Sequence, residues 1–94
     1  MVTRSAKKPK LPHNAFKERA ATIKFEAEAK DLLKAALHER GVTHGALSEA
    51  LAGIGIDIGE AAITNKISRG GFSAAFLLQC MDVMGLKLAT KPKR

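Results

Sequence analysis

Residues 41–71 read GVTHGALSEALAGIGIDIGEAAITNKISRGG, and this stretch decides the architecture. Gly41 ends whatever helix precedes it, since glycine suits the left-handed position that closes a helix. Thr43 is a favoured N-cap for a short helix with Leu47, Ala50 and Leu51 turned inward. Gly53, Gly55 and Gly59 punctuate the next residues, with Ile54, Ile56 and Ile58 alternating between them. Alternation of this kind can mark a strand, but so short a strand needs a partner and the chain offers none. The run is therefore expected to be a loop whose isoleucines plug the core. Asp57 and Glu60 stand at capping-box spacing. A further helix is expected under that cap, burying Ile63 and Ile67 and ending at Arg69 before Gly70-Gly71.

Upstream, no Gly or Pro occurs from Asn14 to Arg40, and Ala, Glu and Lys dominate, which predicts helix from an Asn14 start. Phe16, Ala20, Ile23 and Ala27 recur at helical spacing, as do Phe25, Ala29, Leu32, Leu33, Ala36 and Leu37. The two stripes are not quite on one face. The first half is expected to project as a helical extension over residues 14–25, free to pair with a second subunit. Downstream, Ser73 is expected to cap a helix over Ala74 to Met84, closed by Gly85, with Phe76, Leu77, Cys80, Met81 and Met84 buried. Residues 1–13, with Pro9 and Pro12, read as a disordered basic arm, 26–90 as the folded domain and 91–94 as a basic tail.

Composition agrees. The 94 residues are 46% hydrophobic, enough for one small core, and hold no Trp, no Tyr and only four Phe. A core of Ala, Leu, Ile and Met favours packed helices, because strands draw on β-branched and aromatic residues. The expected class is all-α, with four to five helices. The longest apolar run, Ala74 to Leu78, is far short of a membrane span, and the N-terminus lacks the apolar region of a secretory signal. Cys80 is the single cysteine and is expected to be a small core residue. The expected location is the cytoplasm, in association with the nucleoid.

The net charge of +7 is unevenly placed. Residues 1–13 carry Arg4, Lys7, Lys8 and Lys10 with no acid, and residues 14–25 set Lys17, Arg19 and Lys24 against Glu18. From residue 26 to 90 there are six basic and eight acidic residues, and Lys91, Lys93 and Arg94 end the chain. The body is slightly acidic and the excess cations lie in the extensions. Basic arms either track a phosphate backbone without reading sequence or merely solubilise the chain.

The order helix, Gly-Val-Thr turn, short helix, loop, short helix, Gly-Gly turn, apolar helix now has a counterpart. With Leu33 and Leu37 before Gly41-Val42-Thr43-His44, then Ala46-Leu47-Ser48-Glu49-Ala50-Leu51-Ala52, the chain resembles the lambda-repressor-like (Cro-type) helix-turn-helix superfamily. Ile63, Ile67, Ser68-Arg69-Gly70 and Phe76-Leu77 through Met84-Gly85-Leu86 continue the match. More narrowly, Asn65-Lys66-Ile67-Ser68-Arg69-Gly70-Gly71-Phe72-Ser73-Ala74-Ala75-Phe76 is similar to the signature of a small bacterial domain family of unassigned function. The resemblance spans about residues 26–88 and implies a compact helix-turn-helix domain that binds double-stranded DNA. It departs from the superfamily in the longer Gly53–Asp57 connection. It also implies that His44, the polar residue opening the second helix, grips a phosphate.

The helix over Glu60 to Arg69 has its own reading. With Ile63 and Ile67 inward and about 100° per residue, Asn65 points directly away from the core. Ala61, Ala62, Ser68 and Arg69 lie beside it, with Thr64 and Lys66 on the flanks. Small side chains allow close approach, Asn suits adenine, Arg suits guanine and Ala can touch a thymine methyl. The first turns at Thr43 and Ser73 present free N–H groups suited to phosphates. The alternative is a plain helix with a solvated polar face, in which Arg69 pairs with Glu49 or Glu60 for packing.

Other chemistry finds little purchase. Gly53, Gly55 and Gly59 miss dinucleotide-loop spacing by one residue and follow no strand, so no cofactor is expected. His13, His38 and His44 lack the spacing of metal ligands or of a nucleophile–base pair, and no enzyme activity is expected. The resulting expectation is a transcriptional regulator acting as a homodimer on DNA, with RNA polymerase or another regulator as a further partner and no membrane. The alternatives are a protein-interaction adaptor that kept the fold and an architectural protein that coats DNA without reading it.

Overall fold

The computed structural model describes residues 12–92, with side chains from residue 17 onward. Helix α1 (Pro12–Arg40) is continuous. It begins two residues before the expected Asn14 start, at a proline whose missing N–H would have no partner in a first helical turn. Pro12 and His13, read from sequence as part of the arm, thus belong to the helix. α1 closes at Gly41 (φ 66°), where the N–H groups of Gly41 and Val42 reach back to the carbonyls of His38 and Leu37.

Three shorter helices follow: α2 (His44–Gly53), α3 (Glu60–Arg69) and α4 (Ala74–Val83). The described residues thus form four helices and no strand, an all-α fold. None of these helices is long and apolar enough to cross a membrane. Thr43 and Ser73 cap as expected, their hydroxyl oxygens accepting from the N–H groups of Ala46 (3.1 Å) and Phe76 (3.0 Å).

The core gathers from all four helices. Leu33, Ala36 and Leu37 come from α1, Leu47 and Leu51 from α2, and Ile63 and Ile67 from α3. Phe76, Cys80 and Met81 come from α4, with Met84 just beyond it. Burying one such aliphatic side chain is worth about 1.5–3 kcal/mol. α3 is held against both α1 and α2, and α2 against α4. Arg40 ties the two ends of the body together, its Nε donating to the Met84 carbonyl at 3.1 Å.

Two expectations need correction. Asp57 does not cap α3; the cap position is Gly59, which offers no side-chain acceptor. Ile56 and Ile58 pack against the core, and Ser48 Oγ donates to the Ile58 carbonyl at 2.6 Å, so the intervening Asp57 is turned to solvent. Ile54 does not plug the core but stays 48% exposed, because it lies in the tight turn that ends α2. Along α1, Ala20, Ile23, Phe25, Ala27 and Leu32 are all exposed. Among its described side chains, the buried ones are Leu33, Ala36 and Leu37, in its last turns.

Candidate nucleic-acid interface

α3 occupies the same span, Glu60–Arg69, that its periodicity predicts. Ile63 and Ile67 are sealed in the core, and their pull orients everything else on the helix. Ala61, Ala62, Thr64, Asn65, Lys66, Ser68 and Arg69 are all exposed. Two shallow grooves run beside Asn65. One is lined by Glu60, Ala61, Thr64 and Asn65. The other, of about 340 Å³, is lined by Ala62, Asn65, Lys66, Arg69, Gly71 and Phe72. The Asn65 amide and the Arg69 guanidinium make no hydrogen bond or ion pair among the described residues. Arg69 is thus not spent on Glu49 or Glu60. The amide offers one donor and one acceptor, and the guanidinium two donors, each set arranged for planar, two-point hydrogen bonding.

Phe72 belongs to this surface and was not singled out from sequence. It is half-buried, its ring 5.6 Å from that of Phe76, and it forms the wall of the second groove. Lys66 Nζ sits 5.4 Å from the Phe76 ring centroid, a cation–π contact that holds the ammonium beside the same groove. Only the Gly-Gly turn before Phe72 hints that the residue returns toward α3.

His44, at the start of α2, is half-buried, and its Nδ1 lies 2.8 Å from Thr64 Oγ1 on the flank of α3. When Thr64 donates to Nδ1, the Nε2–H is left to donate to an anion. Next to it stands an unforeseen acid. A Cβ placed on Gly45 would lie 3.2 Å from Glu60 Oε1, so the Glu60 carboxylate rests against the first turn of α2. An anion there is favoured by the free N–H groups of the helix end.

The expected contacts are therefore only partly assembled. His44 and Thr64 touch, and Asn65, Lys66 and Arg69 share a groove. Ser68 is exposed but lines neither groove, and its carbonyl accepts from Lys30 Nζ at 3.5 Å. Thr43 and Ser73 each accept one cap N–H, which leaves their hydroxyl protons to donate to an anion. Arg4, Lys7, Lys8 and Lys10 lie outside the described residues. Among the described residues no group of three or more His, Cys, Asp or Glu is placed to hold a metal ion.

Comparison with known proteins places the chain in a family without adding an activity. No curated protein and no solved structure matches it. Residues 25–89, from the middle of α1 to the segment beyond α4, match the family described as Domain of unknown function (DUF6471), and the chain belongs to that family.

Proposed function

We propose that this protein binds double-stranded DNA sequence-specifically, as a helix-turn-helix transcriptional regulator working as a homodimer at the nucleoid. α2 lies across the backbone and α3 enters the major groove. The observation that carries the reading is the outer face of α3: small Ala61 and Ala62 beside Asn65 and Arg69, both unpartnered among the described residues, on a helix anchored by Ile63 and Ile67. Small residues let the helix approach, and the amide and guanidinium reach base edges. Lys66, Ser68 and Thr64 border that face, and His44 serves the neighbouring phosphate. The cations of residues 1–13 and 91–94 add the sequence-independent attraction that the slightly acidic body lacks. A homodimer follows from size, since a single short recognition helix buries too little surface for tight specific binding.

Selection from random duplex DNA with the full-length protein, at near-physiological salt, tests this. Enrichment of an inverted repeat that Asn65→Ala relaxes at one base position is the expected result. Binding with a steep salt dependence but no enrichment makes the protein a DNA-coating one. No binding at all makes it a protein-interaction adaptor.

A further inference from the structure

Helix α1 outruns the body it packs on. Its buried residues, Leu33, Ala36 and Leu37, all lie in its last turns, and the turn at Gly70 crosses it at Glu26. From Lys17 to Phe25 every side chain is exposed. A stretch of that length is marginal as a lone helix in water. Here it also displays Phe25, 61% exposed, and Ile23, 58% exposed. At about 100° per residue, Ala21, Phe25, Ala29 and Leu32 fall on one stripe beside the core face of the helix. Leu32 is 45% exposed. A notch of about 400 Å³ follows the stripe, lined by Ala21, Phe25 and Ala29 on one side and Gly70, Gly71 and Phe72 on the other.

The charges on α1 select the occupant. Before Phe25, Lys17, Arg19 and Lys24 outnumber Glu18; after it, Glu26, Glu28 and Asp31 outnumber Lys30. Such a helix complements itself only when antiparallel. Laid head to tail about Phe25, each basic half meets an acidic half, whereas a parallel pair sets like charge against like. A two-fold axis at Phe25 also stacks Phe25 on its own copy and sets Ala21 opposite Ala29, small residues that allow close approach. Lys24 and Glu28 share one flank of the stripe, so Lys24 of each copy meets the partner's Glu28. Lys24 is already turned to that surface, its Nζ 5.8 Å from the Phe25 ring centroid.

We propose that two copies of this chain associate through α1, antiparallel, about an axis at Phe25. The helical rise then sets the two Leu33 positions about 24 Å apart along the paired helices, with one body beyond each. Each body then carries one α3, a pair that the DNA-binding reading assigns to half-sites one DNA turn apart, about 34 Å. This use of the dimer rests on the DNA-binding reading, but the association is measured without DNA and stands or falls alone.

Sedimentation equilibrium of the full-length protein at micromolar concentration is expected to give a dimer. Phe25→Asp, and separately Ala21→Glu, weaken association at least tenfold with the far-UV circular dichroism of a folded domain retained. Spin labels on Lys17→Cys report orientation, since the fully buried Cys80 stays unlabelled. The antiparallel pair puts those labels about 24 Å apart along the helices, and labels on Lys24→Cys about 10 Å apart. A monomeric wild type, or an undiminished dimer in both variants, overturns the proposal. Short distances at both label positions overturn the antiparallel arrangement. A dimer that selects no DNA sequence leaves the association standing and removes only its proposed use.

Discussion

His44 Nδ1 lies 2.8 Å from Thr64 Oγ1, so the first turn of α2 is fastened to the flank of α3 through a single hydrogen bond between side chains twenty residues apart. The bond fixes how the two helices sit relative to one another on the proposed DNA-facing side. His44→Ala and Thr64→Val are each expected to cost about 0.5–1.5 kcal/mol. The double variant is expected to cost less than the two added together, by about 0.5 kcal/mol or more. Urea unfolding of the four proteins closes the cycle. Strict additivity means that the two side chains do not act together.

Gly70 combines a φ of 74° with full contact: a Cβ added there would stand 2.5 Å from the Glu26 carbonyl oxygen, on backbone that cannot swing aside. Gly55 has a φ of 88° but open space around it. Gly55→Ala is therefore expected to cost about 1 kcal/mol, from the backbone conformation alone. Gly70→Ala adds a clash and is expected to cost more than about 3 kcal/mol. Denaturant midpoints compare the two directly. Equal losses would mean that α1 yields at Glu26.

Fold and recognition are expected to separate on α3. Ile63→Ala opens a cavity in the core and is expected to cost about 2–5 kcal/mol. Asn65→Ala, on the exposed face, is expected to change stability by less than about 0.5 kcal/mol while altering base preference at one position. Thermal unfolding together with binding to the selected duplex distinguishes them. Asn65→Ala that leaves both affinity and preference untouched removes α3 as the reading helix.

Glu60 is expected to restrain binding. Its carboxylate lies against Gly45 in the first turn of α2, beside His44, which the proposed function assigns to a backbone phosphate. Glu60→Gln removes that repulsion and is expected to raise affinity for duplexes of any sequence several-fold at low salt, with the gain fading as salt screens the charge. Stability is expected to fall by about 0.3–1 kcal/mol, since a favourable anion at a helix N-terminus is lost. Titrations at two salt concentrations test both effects. Weaker binding by Glu60→Gln would give Glu60 a different role.

Cys80 is sealed in the core, and burial pushes its thiol up from 9.0 to about 11. The native thiol is expected to resist a disulfide reagent at pH 8 and to react at once in denaturant. The folded form holds its proton to higher pH than the unfolded form does. The stability linked to this group is thus complete below about pH 9 and is lost as pH rises toward 11. The coupling is about 1.4 kcal/mol for each pKa unit. Unfolding free energies between pH 8 and 11 follow it, and Cys80→Ala is expected to flatten that dependence.

The amino-acid sequence by itself determined the helices and most of the core. Thr43 and Ser73 at the caps, and the glycines at positions 41, 70 and 85 just past helix ends, act on backbone groups within a turn of themselves. The spacings of Leu47 with Leu51 and of Ile63 with Ile67 name the buried side of each helix by the same local geometry. Once Ile63 and Ile67 are inward, the exposed set around Asn65 follows.

What the tertiary structure alone decided depends on residues far apart in the chain. Ser48 holds the Ile58 carbonyl and Asp57 faces solvent, so Gly59 and not Asp57 takes the cap position of α3. The packing of α3 on α2 brought Thr64 to His44 and Glu60 to Gly45, and the Gly70–Gly71 turn returned Phe72 to the groove of Asn65 and Arg69. Among the described side chains of α1 burial begins only at Leu33, and those from Lys17 to Phe25 are left exposed. Periodicity and capping act within four or five residues, so they name the faces of each helix. Which face meets which is settled only when the whole core closes.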